Sequence, residues 1–300
     1  MHDIAYIDAS PLMARMMTLA WPDHAARMKV FVGDMDPDLI PAWVDGAATV
    51  VNGHTMMDAA MLDRMPGLRR IVFLGSGPRS YIDVDAAEAR GITVDRIAGY
   101  GDRAVAEHAL ALILSASRDV ARMDRDLRAG TWDPREGREL LSRRIGLIGF
   151  GGIARSLAEM AQALGMDVAI WNRSRIPAPW AGSAVDLDTL LQTSDVVSLH
   201  LALNPQTEGF LSADRIAMMR PDALLVNTAR AGLVDTPALV AALEAGRIGH
   251  AALDVFDTEP LPPMDRLLSC PRLTLTAHAG FKTPEATERL ARMAVALLRD

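Results

Sequence analysis

Three glycines, Gly149, Gly151 and Gly152, interrupt an apolar run from Ile145 to Ile148 and lead into an amphipathic stretch from Ile153 to Leu164. A strand, a tight turn and a helix in that order can hold an anion. Gly149 permits the turn, Gly151 lets the backbone approach a pyrophosphate, and the helix start offers unpaired N–H groups at the positive end of its dipole. Gly149, Phe150, Gly151, Gly152 and Ile153 are therefore the expected contacts of a dinucleotide cofactor. The sixth position is Ala154 rather than glycine, so the motif rests on its strand and helix context. About 20 residues on, a carboxylate would normally hydrogen-bond a ribose 2′-hydroxyl. Asn172 stands there instead, followed by Arg173, Ser174 and Arg175. Two guanidinium groups and a hydroxyl suit a 2′-phosphate, which predicts NADP(H) in preference to NAD(H).

These residues need a sheet to position them. Short apolar runs at Ile4 to Ile7, Lys29 to Val32, Ala47 to Val51, Arg70 to Leu74 and Ile92 to Val94 alternate with helical stretches at Pro11 to Met17, Met56 to Met65 and Val84 to Arg90. Such alternation predicts a parallel sheet covered on both faces. A second series follows, with strands expected at Ile145 to Ile148, Val168 to Trp171, Asp195 to Leu199, Ala223 to Val226, Ala251 to Val255 and Leu273 to Thr276. The fold class is thus α/β with two doubly wound parallel-sheet domains. The apolar helical stretch Ala104 to Asp119 is expected to pack between domains or subunits, with a polar segment after it up to Pro134. A last helix, Pro284 to Asp300, is expected to return to the first domain.

Composition narrows the function. The 300 residues suit two domains, and half of them are hydrophobic. A net charge of −7 argues against a nucleic-acid partner, which needs a basic face. The single cysteine, Cys270, leaves no internal disulfide and fits the reducing cytoplasm. The start at His2 and Asp3 has no signal-peptide pattern, no apolar run approaches the ~20 residues of a membrane span, and no histidine and cysteine spacing suggests a metal.

The segments NTARAGLVD (Asn227 to Asp235), AALDVFDTEPLP (Ala251 to Pro262) and TAHAGFKTPEA (Thr276 to Ala286) resemble the signatures of the D-isomer-specific 2-hydroxyacid dehydrogenases. The similarity extends to VVSLHLALNPQTEGFL and the glycine motif, and more loosely to YIDVDAAEARGITV and AVAEHAL. The resemblance implies a flavodoxin-like substrate domain (1–98 and 278–300), a Rossmann cofactor domain (99–277), an active site in the cleft between them and a homodimer. It also implies a catalytic trio of Arg230, Glu259 and His278. Their chemistry suits those roles. The planar fork of Arg230 can hold a carboxylate and a neighbouring carbonyl oxygen. His278 can exchange a proton near neutral pH, and Glu259 can fix its tautomer and favour the protonated ring.

Other positions follow from the same resemblance. Asp254 matches the site that binds the nicotinamide carboxamide, and Thr228 joins the cofactor contacts. Gly75, Ser76 and Gly77 match a loop whose amides receive the substrate carboxylate. Pro78-Arg79-Ser80 departs from the acidic or polar residue usual after that loop, so Arg79 either alters substrate choice or is solvated. His54 stands in a loop expected to face the cleft. His108 and His200, in apolar stretches, read as structural, and His2, His24 and His250 as surface or boundary residues. Phe281 and Lys282 fall near the cleft without indicating a substrate.

The expected activity is reduction of a small 2-oxo acid of the glyoxylate or hydroxypyruvate kind to the (R)-2-hydroxy acid. Within the fold the resemblance leaves formate, phosphite and 3-phosphoglycerate dehydrogenases as alternatives: formate dehydrogenases of this type carry glutamine at the position of Glu259, and a phosphoglycerate enzyme with an added regulatory domain would need a longer chain, whereas a short form would not. A reading from another class is a dinucleotide-sensing corepressor on the same scaffold. The retained trio and the lack of a long polar tail weigh against it.

Overall fold

The computed structural model describes residues 2–299. Met1 and Asp300, which fall within the expected first domain and, for Asp300, the last helix, lie outside the described residues. The chain divides into two units, Met1–Gly101 with Lys282–Asp300, and Asp102–Phe281.

In the first unit β1 (Ile4–Ala9), α1 (Pro11–Ala20), β2 (Met28–Val32), α2 (Ile40–Val44), β3 (Thr49–Asn52), α3 (Ala59–Asp63), β4 (Arg70–Phe73), α4 (Val84–Ala89) and β5 (Thr93–Arg96) follow in order. The strands pair in parallel as β2-β1-β3-β4-β5, a doubly wound order. The two-residue period of the strands decides the layers. Ile4 and Tyr6 face the cluster built on α1, whereas Ala5 and Ile7 face the one containing Met61, Leu62 and Ala87. Fully burying an Ile or Met side chain stabilises the fold by ~1.5–3 kcal/mol, so both faces must be covered. The helix Pro284–Arg299 covers one of them through Leu290, Ala294, Val295 and Leu298, and Arg70 Nη1 donates to the Leu297 carbonyl at 2.9 Å.

The helix expected over Met56 to Met65 is confined to α3. Met57 is held in a parallel bridge to Ile82, and the Asp58 carboxylate accepts from the Met61 N–H at 2.8 Å, which caps the helix there.

The second unit contains α5 (Asp102–Ser117), α6 (Val120–Arg128), β6 (Arg144–Ile148), α7 (Gly152–Ala163), β7 (Asp167–Trp171), α8 (Leu187–Thr193), β8 (Val196–Leu199), α9 (Ala213–Met218), β9 (Leu224–Asn227), α10 (Thr236–Glu244), β10 (His250–Leu253) and β11 (Leu273–Leu275). Its parallel sheet runs β11-β10-β9-β8-β6-β7, and a single bridge from Ile170 to Ala184 extends it beyond β7. Strand order reverses at β6, so the switch point lies between β6 and β8. The apolar face of α5 is part of this unit's core, with Ala106, Ala109, Leu112 and Ile113 in one cluster with Leu157 and Ala161 of α7. The polar segment expected up to Pro134 contains α6. Its i,i+4 ion pairs, Arg122 with Asp126 and Arg128 with Asp124, support a helix that burial alone would not. Among the described residues no helix is long and apolar enough to cross a membrane.

Two histidines couple this unit to pH. Burial pushes the His250 imidazole down to about 4, with Asp119 opposing the shift and Arg272 adding to it, while His250 Nε2 sits 3.0 Å from Thr274 Oγ1. Burial likewise lowers His200 to about 4. Both rings are neutral in the fold and take up protons more readily once unfolded. Their contribution is therefore full above about pH 6.5 and is lost as pH falls toward 4, by up to about 3 kcal/mol each. Urea unfolding at pH 7 and pH 4.5 measures this, and His250→Gln should lessen the difference; an equal loss in both proteins would rule out His250 as a source.

Candidate cofactor and active site

The sheet register of the second unit aligns the site. Trp171 pairs with Ile148, Ile148 with Leu199, Leu199 with Asn227, Asn227 with Leu253, and Leu253 with Leu275, one continuous row across six strands. The next residue on each strand is Asn172, Gly149, His200, Thr228, Asp254 and Thr276. Four positions singled out in the sequence, Asn172, Gly149, Thr228 and Asp254, thus stand on one line at the carboxyl end of the sheet, where open α/β sheets bind ligands.

At the switch point Gly149 adopts φ +93°, and a Cβ there would lie 2.7 Å from the His200 carbonyl oxygen. The turn therefore needs glycine for both conformation and space. At Gly152 a Cβ would overlap the Asp102 carboxylate, which would have to move aside. Gly151 has neither constraint: it caps α7 at φ −86°, with no side chain capping the helix, and a Cβ would meet nothing within 4 Å. The space over this helix start is therefore open, with its first N–H groups facing outward.

Asn172 ties this turn to the next. Its Oδ1 accepts from the Phe150 N–H at 3.2 Å and its Nδ2 donates to the Ser174 carbonyl at 3.0 Å. Its carboxamide is thereby occupied, and the exposed Arg173, Ser174 and Arg175 remain for a ligand. Among the described residues neither arginine has a salt-bridge partner. They line a cleft of ≈ 410 Å³ with apolar walls from Ile170, Ile176 and Val185.

On β9 the buried Asn227 secures the following loop, its Oδ1 accepting from Ala229 N–H at 3.0 Å and its Nδ2 donating to the Arg230 carbonyl at 2.9 Å. Arg230 Nη1 donates to the Ala229 carbonyl at 2.7 Å, and among the described residues no carboxylate pairs with this guanidinium. Thr228 is 8% exposed and its Oγ1 is buried without a hydrogen-bond partner. A buried hydroxyl with no partner among the described residues is costly unless something else reaches it.

His278 and Glu259 meet. Nδ1 of His278 lies 2.6 Å from Glu259 Oε2, and Glu259 Oε1 accepts from the Phe256 N–H at 2.9 Å. An ionised carboxylate only accepts, so Nδ1 carries the hydrogen and Nε2 is the exchangeable position. The His278 imidazole and the Phe281 ring meet edge to face, with centroids 5.8 Å apart at 87°. Arg230 makes no hydrogen bond or ion pair with either residue among those described.

Asp254 is 1% exposed. Its carboxylate accepts from Thr276 Oγ1 at 2.6 Å and from the N–H groups of Ala279 and Gly280, both at 2.9 Å. Burial pushes this group up, but hydrogen bonds from His108, Thr276 and the two amides outweigh burial and bring it down to about 2. Asp254 therefore works on its own chain as a clamp on the loop carrying His278.

The first unit has its own strand-end loops. Buried Asp8, near the end of β1, accepts from the N–H groups of Gly53, His54 and Thr55 at 2.7–2.9 Å. His54, more than half exposed in its side chain, has Nε2 2.7 Å from Asp34 Oδ1. After β4, Gly75 is fixed by space, because a Cβ would come within 2.7 Å of Phe73. Among the described residues no acceptor takes the N–H groups of Gly75, Ser76 or Gly77. Arg79 binds Asp85 bidentately at 2.8 and 2.9 Å, which occupies its guanidinium at the surface.

A glycine turn at a switch point, a helix start with no cap and a cleft with two unpaired arginines define a dinucleotide-binding α/β protein, and the orphaned Thr228 hydroxyl and open Gly151 fit such a cofactor. Residues 110–280 match the family model for the NAD binding domain of D-isomer specific 2-hydroxyacid dehydrogenases. The chain is 36% identical over 247 residues to a hydroxypyruvate reductase of Thermotoga maritima, covering 80% of each. It is 32% identical over 300 residues to a glycerate dehydrogenase of Methylorubrum extorquens, covering 96% of this chain and 92% of the relative. Among solved structures, an acyclic imino acid reductase in complex with NADPH and D-arginine superposes with a TM-score of 0.85 at 26% identity, covering 99% of this chain and 95% of that one. The chain spans about half the length of D-3-phosphoglycerate dehydrogenases that it also matches, 48% of the one from Mycobacterium leprae. The chain belongs to the D-isomer-specific 2-hydroxyacid dehydrogenase family.

Proposed function

We propose that the protein reduces a small 2-oxo acid, glyoxylate or hydroxypyruvate in kind, to the (R)-2-hydroxy acid with NADPH. The observation that carries this reading is the 2.6 Å pair of His278 with Glu259 at the sheet end that also holds Arg230. When bound, the cofactor supplies a hydride for C2 of the substrate. Arg230 holds the carboxylate and draws electron density onto the carbonyl oxygen, and the amides of Gly75 to Gly77 are assigned to the carboxylate. His278 gives its Nε2 proton to that oxygen while Nδ1–H stays on Glu259, so the ring keeps its orientation. In the oxidative direction neutral Nε2 takes the hydroxyl proton. His54 is assigned a substrate contact, Thr228 a cofactor contact, and Asp254 a contact to the nicotinamide carboxamide in addition to its hold on the 278–280 loop.

Gly149, Phe150, Gly151, Gly152 and Ile153 would hold the pyrophosphate, and Arg173, Ser174 and Arg175 a 2′-phosphate. Steady-state kinetics on glyoxylate, hydroxypyruvate, pyruvate and phenylpyruvate with both coenzymes test the reading. NADPH should give the higher kcat/KM, and Arg173→Asp should shift the preference toward NADH by about 10–100-fold, the value of one charge-assisted phosphate contact. A wild-type preference for NADH would overturn the coenzyme assignment. Absence of turnover with tight dinucleotide binding would favour the sensor reading, to which the dehydrogenases and reductases named above lend nothing. The reading includes a cytoplasmic homodimer, supported by the free Cys270 and by exposed apolar side chains at Leu127, Trp132 and Leu141 that a second copy would cover.

A further inference from the structure

We infer that His108 is a positioning residue for the reaction, acting on His278 through Asp254. This rests on the function proposed above and assigns a role to a histidine whose apolar surroundings suggest only a packed side chain. His108 lies in the middle of α5, and its Nε2 is 2.9 Å from Thr276 Oγ1 and 3.3 Å from Asp254 Oδ1. The direction of the bonds is determined. Asp254 as a carboxylate only accepts, so the one hydroxyl hydrogen of Thr276 goes to Oδ1 at 2.6 Å. Thr276 Oγ1 is then an acceptor toward His108, and Nε2 of His108 must carry a hydrogen.

Asp254 passes that constraint to three consecutive residues. Its carbonyl oxygen accepts from the His278 N–H at 2.8 Å, Oδ1 from Ala279 N–H and Oδ2 from Gly280 N–H. His278 itself adopts φ +49°, a left-handed conformation that a side chain of its size enters only when its surroundings enforce it. Gly280 records the same squeeze from outside, because a Cβ there would lie 3.1 Å from Asp254 Oδ2 and 3.5 Å from the His108 ring. The imidazole, the hydroxyl and the carboxylate thus form one network, and its output is the direction of the His278 ring toward Glu259. A displacement of about 1 Å in a reacting group can cost about 100-fold in rate.

Two variants separate positioning from packing. His108→Leu keeps the bulk and removes the donor, whereas His108→Gln places an amide N–H where Nε2–H stood. Expected for His108→Leu is a fall in kcat of about 10-fold or more, with KM for the 2-oxo acid within about twofold and Tm nearly retained; His108→Gln should recover kcat to within about threefold of wild type. Unchanged kcat in His108→Leu, or an equal loss in both variants, would overturn the inference. A second measurement needs no turnover: in protein labelled with ¹⁵N-histidine, the Nδ1 resonance that disappears in His278→Ala should shift in His108→Leu and return in His108→Gln. An unmoved resonance in His108→Leu also overturns it. A wild-type protein inactive on every 2-oxo acid would defeat the proposed reaction and leave this spectroscopic comparison to decide the positioning role.

Discussion

His278→Ala should lower kcat on the preferred 2-oxo acid by about 10³-fold, within the ~10²–10⁴ range that a positioned proton donor supplies. The proton is needed only as charge develops on the substrate oxygen, so kcat and kcat/KM should fall together and KM should move little. Glu259→Gln is the graded counterpart. Glutamine still accepts from Nδ1–H but carries no charge to stabilise the imidazolium, so kcat should fall by about 10–100-fold. Binding of the dinucleotide, followed by quenching of protein fluorescence, should survive both changes, since neither side chain belongs to the glycine turn or the 172–175 turn. Normal turnover by His278→Ala would remove it as the donor, and loss of dinucleotide binding along with activity would point to a misfolded loop.

The fold was legible because its signals are periodic. Strand runs such as Ile145 to Ile148 and Arg70 to Leu74 are bounded by glycine or polar turns, and the alternation with helices leaves few topologies open. Boundaries were less so. Asp58 is a capping residue by type, but that the helix starts there rather than at Met56 depends on Met57 being drawn into a bridge with Ile82. The charges of α6 read equally well as loop or as ion-paired helix until Arg122 and Asp126 are seen together.

The site shows the same division. Gly149 and the arginines after Asn172 carry their chemistry in type and spacing, whereas the residues that hold the loops do not. Asp8 and Asp254 are each buried carboxylates near a strand end that accept from the amides of the next loop to pass. In sequence both are simply an acid after an apolar run. Their role depends on which amides come within reach, and that is settled by partners 45 and 26 residues away in the chain. His108 is hidden for the opposite reason: surrounded by alanines and leucines, its ring resembles core filling, and only the distant Thr276 and Asp254 reveal it as a donor.

Arg230 carries the second large effect. Two hydrogen bonds from its guanidinium to an anionic substrate, each worth ~1.5–3 kcal/mol when one partner is charged, amount to about 10²–10⁴ in kcat/KM. Arg230→Ala should lose that factor in both terms, with KM rising and kcat falling, because the same fork binds the carboxylate and stabilises the developing oxyanion. Arg230→Lys keeps the charge and loses the planar pair of donors. If point charge were sufficient it would retain near-normal kcat; the fork requires that it lose about 100-fold or more in kcat/KM. The fold favours a clear result, because Asn227 holds this loop through the backbone of residues 229 and 230, and the guanidinium adds only one bond to its neighbour's carbonyl. Exogenous guanidinium should therefore restore part of the activity of Arg230→Ala and none of His278→Ala. Rescue of both, or of neither, would show that Arg230 acts through the loop instead of on the substrate.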